Sequence, residues 1–140
     1  MKKIILIGRT GSGKTTLVQA LNNYSIEYKK TQAVEFYNNI IDTPGEYIES
    51  RRFYNALIAL SFDCDIIALV QDCSDDGCIF PPEFAAMFNK IVIGIVTKID
   101  CKKGNINYAK ECLYNAGVSK IFKVSSLKGS GLDSIKMFLF

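Results

Sequence analysis

Gly8-Arg9-Thr10-Gly11-Ser12-Gly13-Lys14-Thr15 follows directly on the apolar run Ile4-Ile5-Leu6-Ile7 and opens a segment of helical period, 14–23. It satisfies G-x-x-x-x-G-K-[ST] at each fixed position, in the strand–loop–helix context that gives this pattern its meaning. Phosphate oxygens must come within hydrogen-bond distance of several backbone N–H groups, and side chains at those positions obstruct the approach. The positive end of the following helix adds to the same attraction. Gly8, Gly11, Ser12 and Gly13 are therefore expected to cradle phosphates, and Lys14 to carry the charge on the β and γ groups. The Thr15 hydroxyl is expected to ligate Mg²⁺, with Thr16 in the same nucleotide-binding set.

Two further segments direct the expectation toward GTP. Asp42-Thr43-Pro44-Gly45 ends an apolar run and resembles the D-x-x-G element of GTPases, in which Asp42 holds Mg²⁺ through water and the Gly45 amide meets the γ-phosphate. Read alone it is also a good turn sequence. Thr97-Lys98-Ile99-Asp100 ends the run 91–96 and resembles the guanine-reading [NT]-K-x-D element. The Asp100 carboxylate can accept from guanine N1–H and the 2-amino group, adenine offers no matching donors, and the Lys98 stem can lie over the base. Thr31 is expected as the second hydroxyl ligand of Mg²⁺. Ser125-Ser126-Leu127 resembles the S-A-[KL] element, in which a backbone amide of Ser126 or Leu127 touches the guanine carbonyl.

Apolar runs at 4–7, 66–70, 91–96 and 121–124 read as strands buried on both faces, as in a parallel sheet. Runs 33–37 and 39–42, almost contiguous, read as a hairpin that adds one antiparallel edge strand. Helices are expected over 14–23 and over 50–62 with Phe53, Leu57 and Leu60 on one face. A third carries Ile106, Ala109, Leu113 and Ala116 and ends at Gly117, and a last one carries Leu132, Ile135 and Leu139 behind a Ser130/Asp133 capping box. The segment 74–88 reads as a loop with one short helix. The alternation predicts a doubly wound α/β fold of P-loop NTPase (Ras-like G domain) type in one domain, 1–140, with a mostly parallel sheet.

The 140 residues are 49% hydrophobic and 22% charged, enough for one core. Seventeen basic against fourteen acidic residues give a net charge of +3, in short scattered clusters, so no nucleic-acid partner is expected. The chain has no histidine, and the cysteines at 64, 73, 78, 101 and 112 form no C-x-x-C pair, which argues against zinc. Their odd number argues against a disulfide framework, and they are expected to be reduced thiols in a cytoplasmic protein. No apolar stretch reaches the length of a membrane span, the opening run is too short for a signal peptide, and the last four residues lack a prenylation cysteine.

The run YKKTQAVEFYNNIIDTPGEYIESRRFYNAL, then ALVQD, then FPPEFAAMFNKIVIGIVTKID, resembles the ethanolamine-utilisation EutP and propanediol-utilisation PduV group of bacterial proteins. The resemblance covers nearly the whole chain. It implies a minimal GTPase domain that binds GTP or GDP with Mg²⁺, is associated with a bacterial microcompartment, and has shell or enzyme proteins as partners. Where Ras-like proteins place a water-orienting glutamine, this chain has Glu46, and Gly11 stands where potassium-activated GTPases carry asparagine. Slow unassisted hydrolysis is therefore expected, with Lys14 and Glu46 as the catalytic candidates. Glu46 also reads as a solvent-facing carboxylate, and Arg9, Arg51 and Arg52 read as surface charge before transition-state cations. Two alternatives stay open: a kinase that moves the γ-phosphate to a small carboxylate such as acetate, and a structural adaptor stabilised by nucleotide. For the adaptor, Tyr24, Tyr28, Phe36 and Tyr37 are candidate surface aromatics.

Overall fold

The computed structural model describes residues 2–22 and 31–139. The end of the first expected helix and the aromatic candidates Tyr24 and Tyr28 lie outside the described residues. In chain order the elements are β1 (Ile4–Ile7), α1 (Lys14–Leu21), β2 (Glu35–Tyr37), β3 (Ile40–Asp42), α2 (Glu46–Glu49), α3 (Tyr54–Ser61), β4 (Ile66–Asp72), β5 (Ile91–Thr97), α4 (Ile106–Asn115), β6 (Ile121–Lys123) and α5 (Leu132–Leu139). Short 3₁₀ turns at Arg51–Phe53 and Phe84–Met87 complete the path.

The six strands form one sheet in the order β2-β3-β1-β4-β5-β6. β2 runs antiparallel to β3 and the remaining pairs are parallel. This is the mostly parallel sheet with one antiparallel edge strand that the apolar runs predict, in the arrangement of a P-loop NTPase. Strand β4, at the centre, is buried along all of its length, so each residue needs an apolar neighbour on its own face. Ile4, Leu6, Ile66 and Ala68 pack with Leu17 and Val18 of α1 and Ile135 and Leu139 of α5. Ile5, Ile7, Ile67 and Leu69 face the other way, toward Leu57 of α3 and Ala109 and Leu113 of α4. The period-2 alternation of strand side chains thus produces the two helical layers.

Four expectations need correction. β6 is not buried on both faces: Phe122 is buried, Ile121 partly so and Lys123 exposed, because β6 lies at the sheet edge. The expected helix over 50–62 is divided into a 3₁₀ turn and α3, preceded by the separate turn α2. Ser130 does not cap α5, which begins at Leu132; its carbonyl accepts from the Ser125 amide at 2.9 Å. Finally, Cys78 and Cys112 form a disulfide, with Cα atoms 5.5 Å apart across a sequence separation of 34. The loop after β4 folds over α4 and brings them together, a juxtaposition that spacing along the chain does not disclose. Cys64, Cys73 and Cys101 are free thiols, and burial pushes the Cys64 thiol up to about 11.

Candidate functional site

The loops that follow β1, β3 and β5 all emerge at the carboxyl edge of the sheet, where open α/β folds place their ligand sites. At the first, Gly13 takes a left-handed φ of +99° and starts α1 one residue before Lys14. A residue with a β-carbon would be strained there. Lys14 is nearly buried, and its Nζ donates to the carbonyls of Gly8 (2.8 Å) and Arg9 (3.3 Å), which folds the loop around the ammonium. Burial lowers its pKa, while the charges of Asp42 and Glu49 work in the opposite sense. Ser12 is buried, with its Oγ lacking a partner.

The three residues assigned to Mg²⁺ come from separate elements and meet at one point. Thr15 Oγ1 lies 2.6 Å from Thr31 Oγ1 and 2.6 Å from Asp42 Oδ2, and Thr31 Oγ1 lies 3.2 Å from the same carboxylate oxygen. Asp42 is fully buried; that burial raises its pKa, against the hydrogen bonds from Thr15, the charge of Lys14 and the hydrogen bond from Thr31. Its other oxygen, Oδ1, is buried without a partner among the described residues. Such an orphan is costly in a finished core. Two hydroxyls and a carboxylate form a hard oxygen donor set that suits Mg²⁺, and the unpaired oxygen fits it too.

Gly45 packs against the P-loop so closely that a β-carbon would run into the amide and hydroxyl of Thr10. Glu46, the candidate water-orienting group, is the exposed first residue of α2. Its neighbour Glu49 makes the contact with the P-loop: its carboxylate accepts from the Thr10 amide and hydroxyl, each at 3.3 Å. Arg9 pairs with Asp75 at 2.9 Å, while Arg51 and Arg52 are exposed and Arg52 lies over the Phe53 ring.

At the far end a cavity of about 380 Å³ is lined by Gly13, Thr16, Thr97, Lys98, Asp100, Cys101, Ser126 and Leu127. The sequence motifs name all of these but Cys101. Thr97 ties this end to the P-loop through a 2.5 Å hydrogen bond to the Ser12 carbonyl. Lys98, in a left-handed conformation, donates to the Gly11 carbonyl at 2.8 Å and pairs with Asp72 at 2.8 Å. The Ser125 hydroxyl donates to Asp100 Oδ1 at 2.8 Å.

Three residues of this site escape motif reading. Asp72 holds Lys98 with one oxygen and accepts from the Ser74 amide and hydroxyl with the other. An Asp-x-Ser turn after a strand is the local signal that points to it. Cys101 and Glu49 have no local signal, since only the fold brings them to the cleft.

The family profile described as "Ethanolamine utilisation - propanediol utilisation" matches residues 1–140. The chain is 41% identical to the propanediol utilization protein PduV of Citrobacter freundii, over 99% of its own length and 93% of that protein's. It is 35% identical to the "Probable acetate kinase EutP" of Escherichia coli (strain K12), over 90% of its length and 81% of that protein's. The corresponding protein of Salmonella typhimurium, of the same printed name, is 34% identical over 99% and 87%.

Proposed function

The chain belongs to the ethanolamine utilisation–propanediol utilisation family, and on that premise we propose that it is a Mg²⁺-dependent GTP-binding protein that cleaves the terminal phosphoryl group. The observation that carries the reading is the continuity of two chemistries along the start of α1. Gly13 and Thr16 line the cavity beside Asp100, and Thr15 between them belongs to the oxygen cluster with Thr31 and Asp42. A molecule with a purine at one end and phosphates with a divalent cation at the other matches that succession.

In this reading the P-loop amides of Gly11, Ser12 and Gly13 and the Lys14 ammonium hold the phosphates. Thr15 and Thr31 ligate Mg²⁺ directly and Asp42 does so through water; the cation, when bound, neutralises charge on the β and γ oxygens. Asp100 accepts from the guanine N1–H and 2-amino groups, with Ser125 fixing its orientation. Lys98, held by Asp72, flanks the base, and the backbone at Ser126 or Leu127 meets the guanine carbonyl. The proposal extends to GDP as the product state and to microcompartment shell or enzyme proteins as partners. No helix among the described residues is long and apolar enough to cross a membrane.

A second reading has its own support. The relatives from Escherichia coli and Salmonella typhimurium are named probable acetate kinase, and Glu46 stands where signalling GTPases have the glutamine that orients water. The γ-phosphoryl would then pass to a carboxylate oxygen instead of water. Incubation with GTP or ATP, Mg²⁺ and acetate, with acetyl phosphate and free phosphate both quantified, separates the readings. Acetate-independent phosphate release supports hydrolysis and acetyl phosphate supports transfer. Binding without turnover supports the adaptor role, and no binding of guanine nucleotide refutes the proposal.

A further inference from the structure

We propose that Glu49 discriminates guanosine triphosphate from diphosphate by holding its carboxylate on Thr10, beside the Gly45 and Lys14 groups assigned to the terminal phosphate, an inference that rests on the nucleotide reading above. Glu49 ends α2, four positions after Gly45, and its two carboxylate oxygens accept from the Thr10 amide and the Thr10 hydroxyl at 3.3 Å each. The absence of a side chain at Gly45 lets the start of α2 press onto Thr10, so Gly45, Thr10 and Glu49 form one contact. Glu49 also lies within electrostatic reach of the Lys14 ammonium.

Gly45 is the residue assigned to the γ-phosphate, and Lys14 is the cation assigned to it. A terminal phosphate placed there is a second anion beside the Glu49 carboxylate, in competition for the positive charge of Lys14. Like charges at this separation repel, and one of them must leave. Glu49 is exposed and its side chain is free to swing into water, whereas the phosphate is tethered by the rest of the nucleotide. A diphosphate ends short of this contact and leaves the Glu49–Thr10 clasp closed. Triphosphate binding therefore carries the cost of opening the clasp and releases the end of α2 from the P-loop. Glu46, three residues earlier on the same turn, would be freed with it.

The test is a paired titration of wild-type protein and Glu49→Gln with GDP and a non-hydrolysable GTP analogue, both with Mg²⁺. Glu49→Gln keeps the shape, removes the charge, and changes a surface residue that supports no buried contact. Its expected effect is a gain of about tenfold in triphosphate affinity with less than about twofold change for GDP, the loss of one charge-assisted contact with a competing anion. Glu49→Asp keeps the charge but retracts it by one methylene from Thr10, and is expected to give a smaller gain of the same selectivity. An equal shift for both nucleotides, or none, overturns the inference and leaves the nucleotide reading standing. Failure of the wild-type protein to take up either guanine nucleotide overturns both.

Discussion

At the P-loop end of the cleft Lys14 and Asp42 are 5% and 0% exposed, whereas at the base end Asp100 is exposed and the Lys98 side chain keeps 44% of its surface. The buried end holds its charges by short contacts between elements and leaves Asp42 Oδ1 without a partner. The open end anchors its more exposed charges on neighbouring groups, Lys98 on Asp72 and the Gly11 carbonyl and Asp100 on the Ser125 hydroxyl. Buried charge is costly until a ligand completes its coordination, while exposed charge is screened and cheap to keep ready. In the proposed reading, the phosphate end is thus finished by what it binds and the base end selects.

The difference can be broken first at Lys14. Lys14→Met is expected to lower GTP affinity by about 3 kcal/mol, more than a hundredfold, in a binding titration, since the charge is lost from a site that no solvent can replace. A loss below tenfold would show that the buried ammonium supports the loop and not the ligand. At the open end, Asp100→Asn is expected to lower GTP affinity by about thirtyfold with ATP binding unchanged, because one acceptor becomes a donor facing a donor. If GTP and ATP weaken together, the base end does not select.

Asp42→Asn isolates the unfinished character of the buried end. Mg²⁺ affinity in the nucleotide complex is expected to fall by about tenfold, the effect of removing a group that acts on the metal through water. The melting temperature of the ligand-free chain should rise, because a buried charge with one idle oxygen is removed. A lower melting temperature would mean that the carboxylate is already fully compensated. Ser125→Ala probes the buried support of the exposed carboxylate and is the mildest change. Loss of its hydrogen bond to Asp100, about 1 kcal/mol, is expected to reduce the GTP-over-ATP ratio by roughly fivefold, and loss of the acceptor for the Lys128 amide to lower the melting temperature slightly. A large stability loss would assign Ser125 to the fold.

The P-loop was legible because its geometry is local: eight consecutive residues close the turn, supply the amides and start the helix. Strands β1, β4 and β5 were legible for a similar reason, since seven buried residues in a row at β4 and six at β5 suit little else than the middle of a parallel sheet. The edge position of β6 was not, because Ile121-Phe122-Lys123-Val124 has the apolarity of a central strand and only the strand order leaves Lys123 in water. The break within 50–62 was hidden by a continuous helical period, and the Ser130 cap by a motif match one residue out of place.

Local structure in this chain therefore belonged to the sequence: the glycine turn before α1 and the alternating strands and helices, all set by the conformational preferences of neighbouring residues. Encounters between distant residues that no motif joins belonged to the tertiary structure: Asp72 at Lys98, Cys78 at Cys112, and Glu49 instead of Glu46 against Thr10. The reason is physical. A hydrogen bond or disulfide between remote positions depends on the sheet order and loop paths that carry them together, and side-chain type alone does not encode that distance.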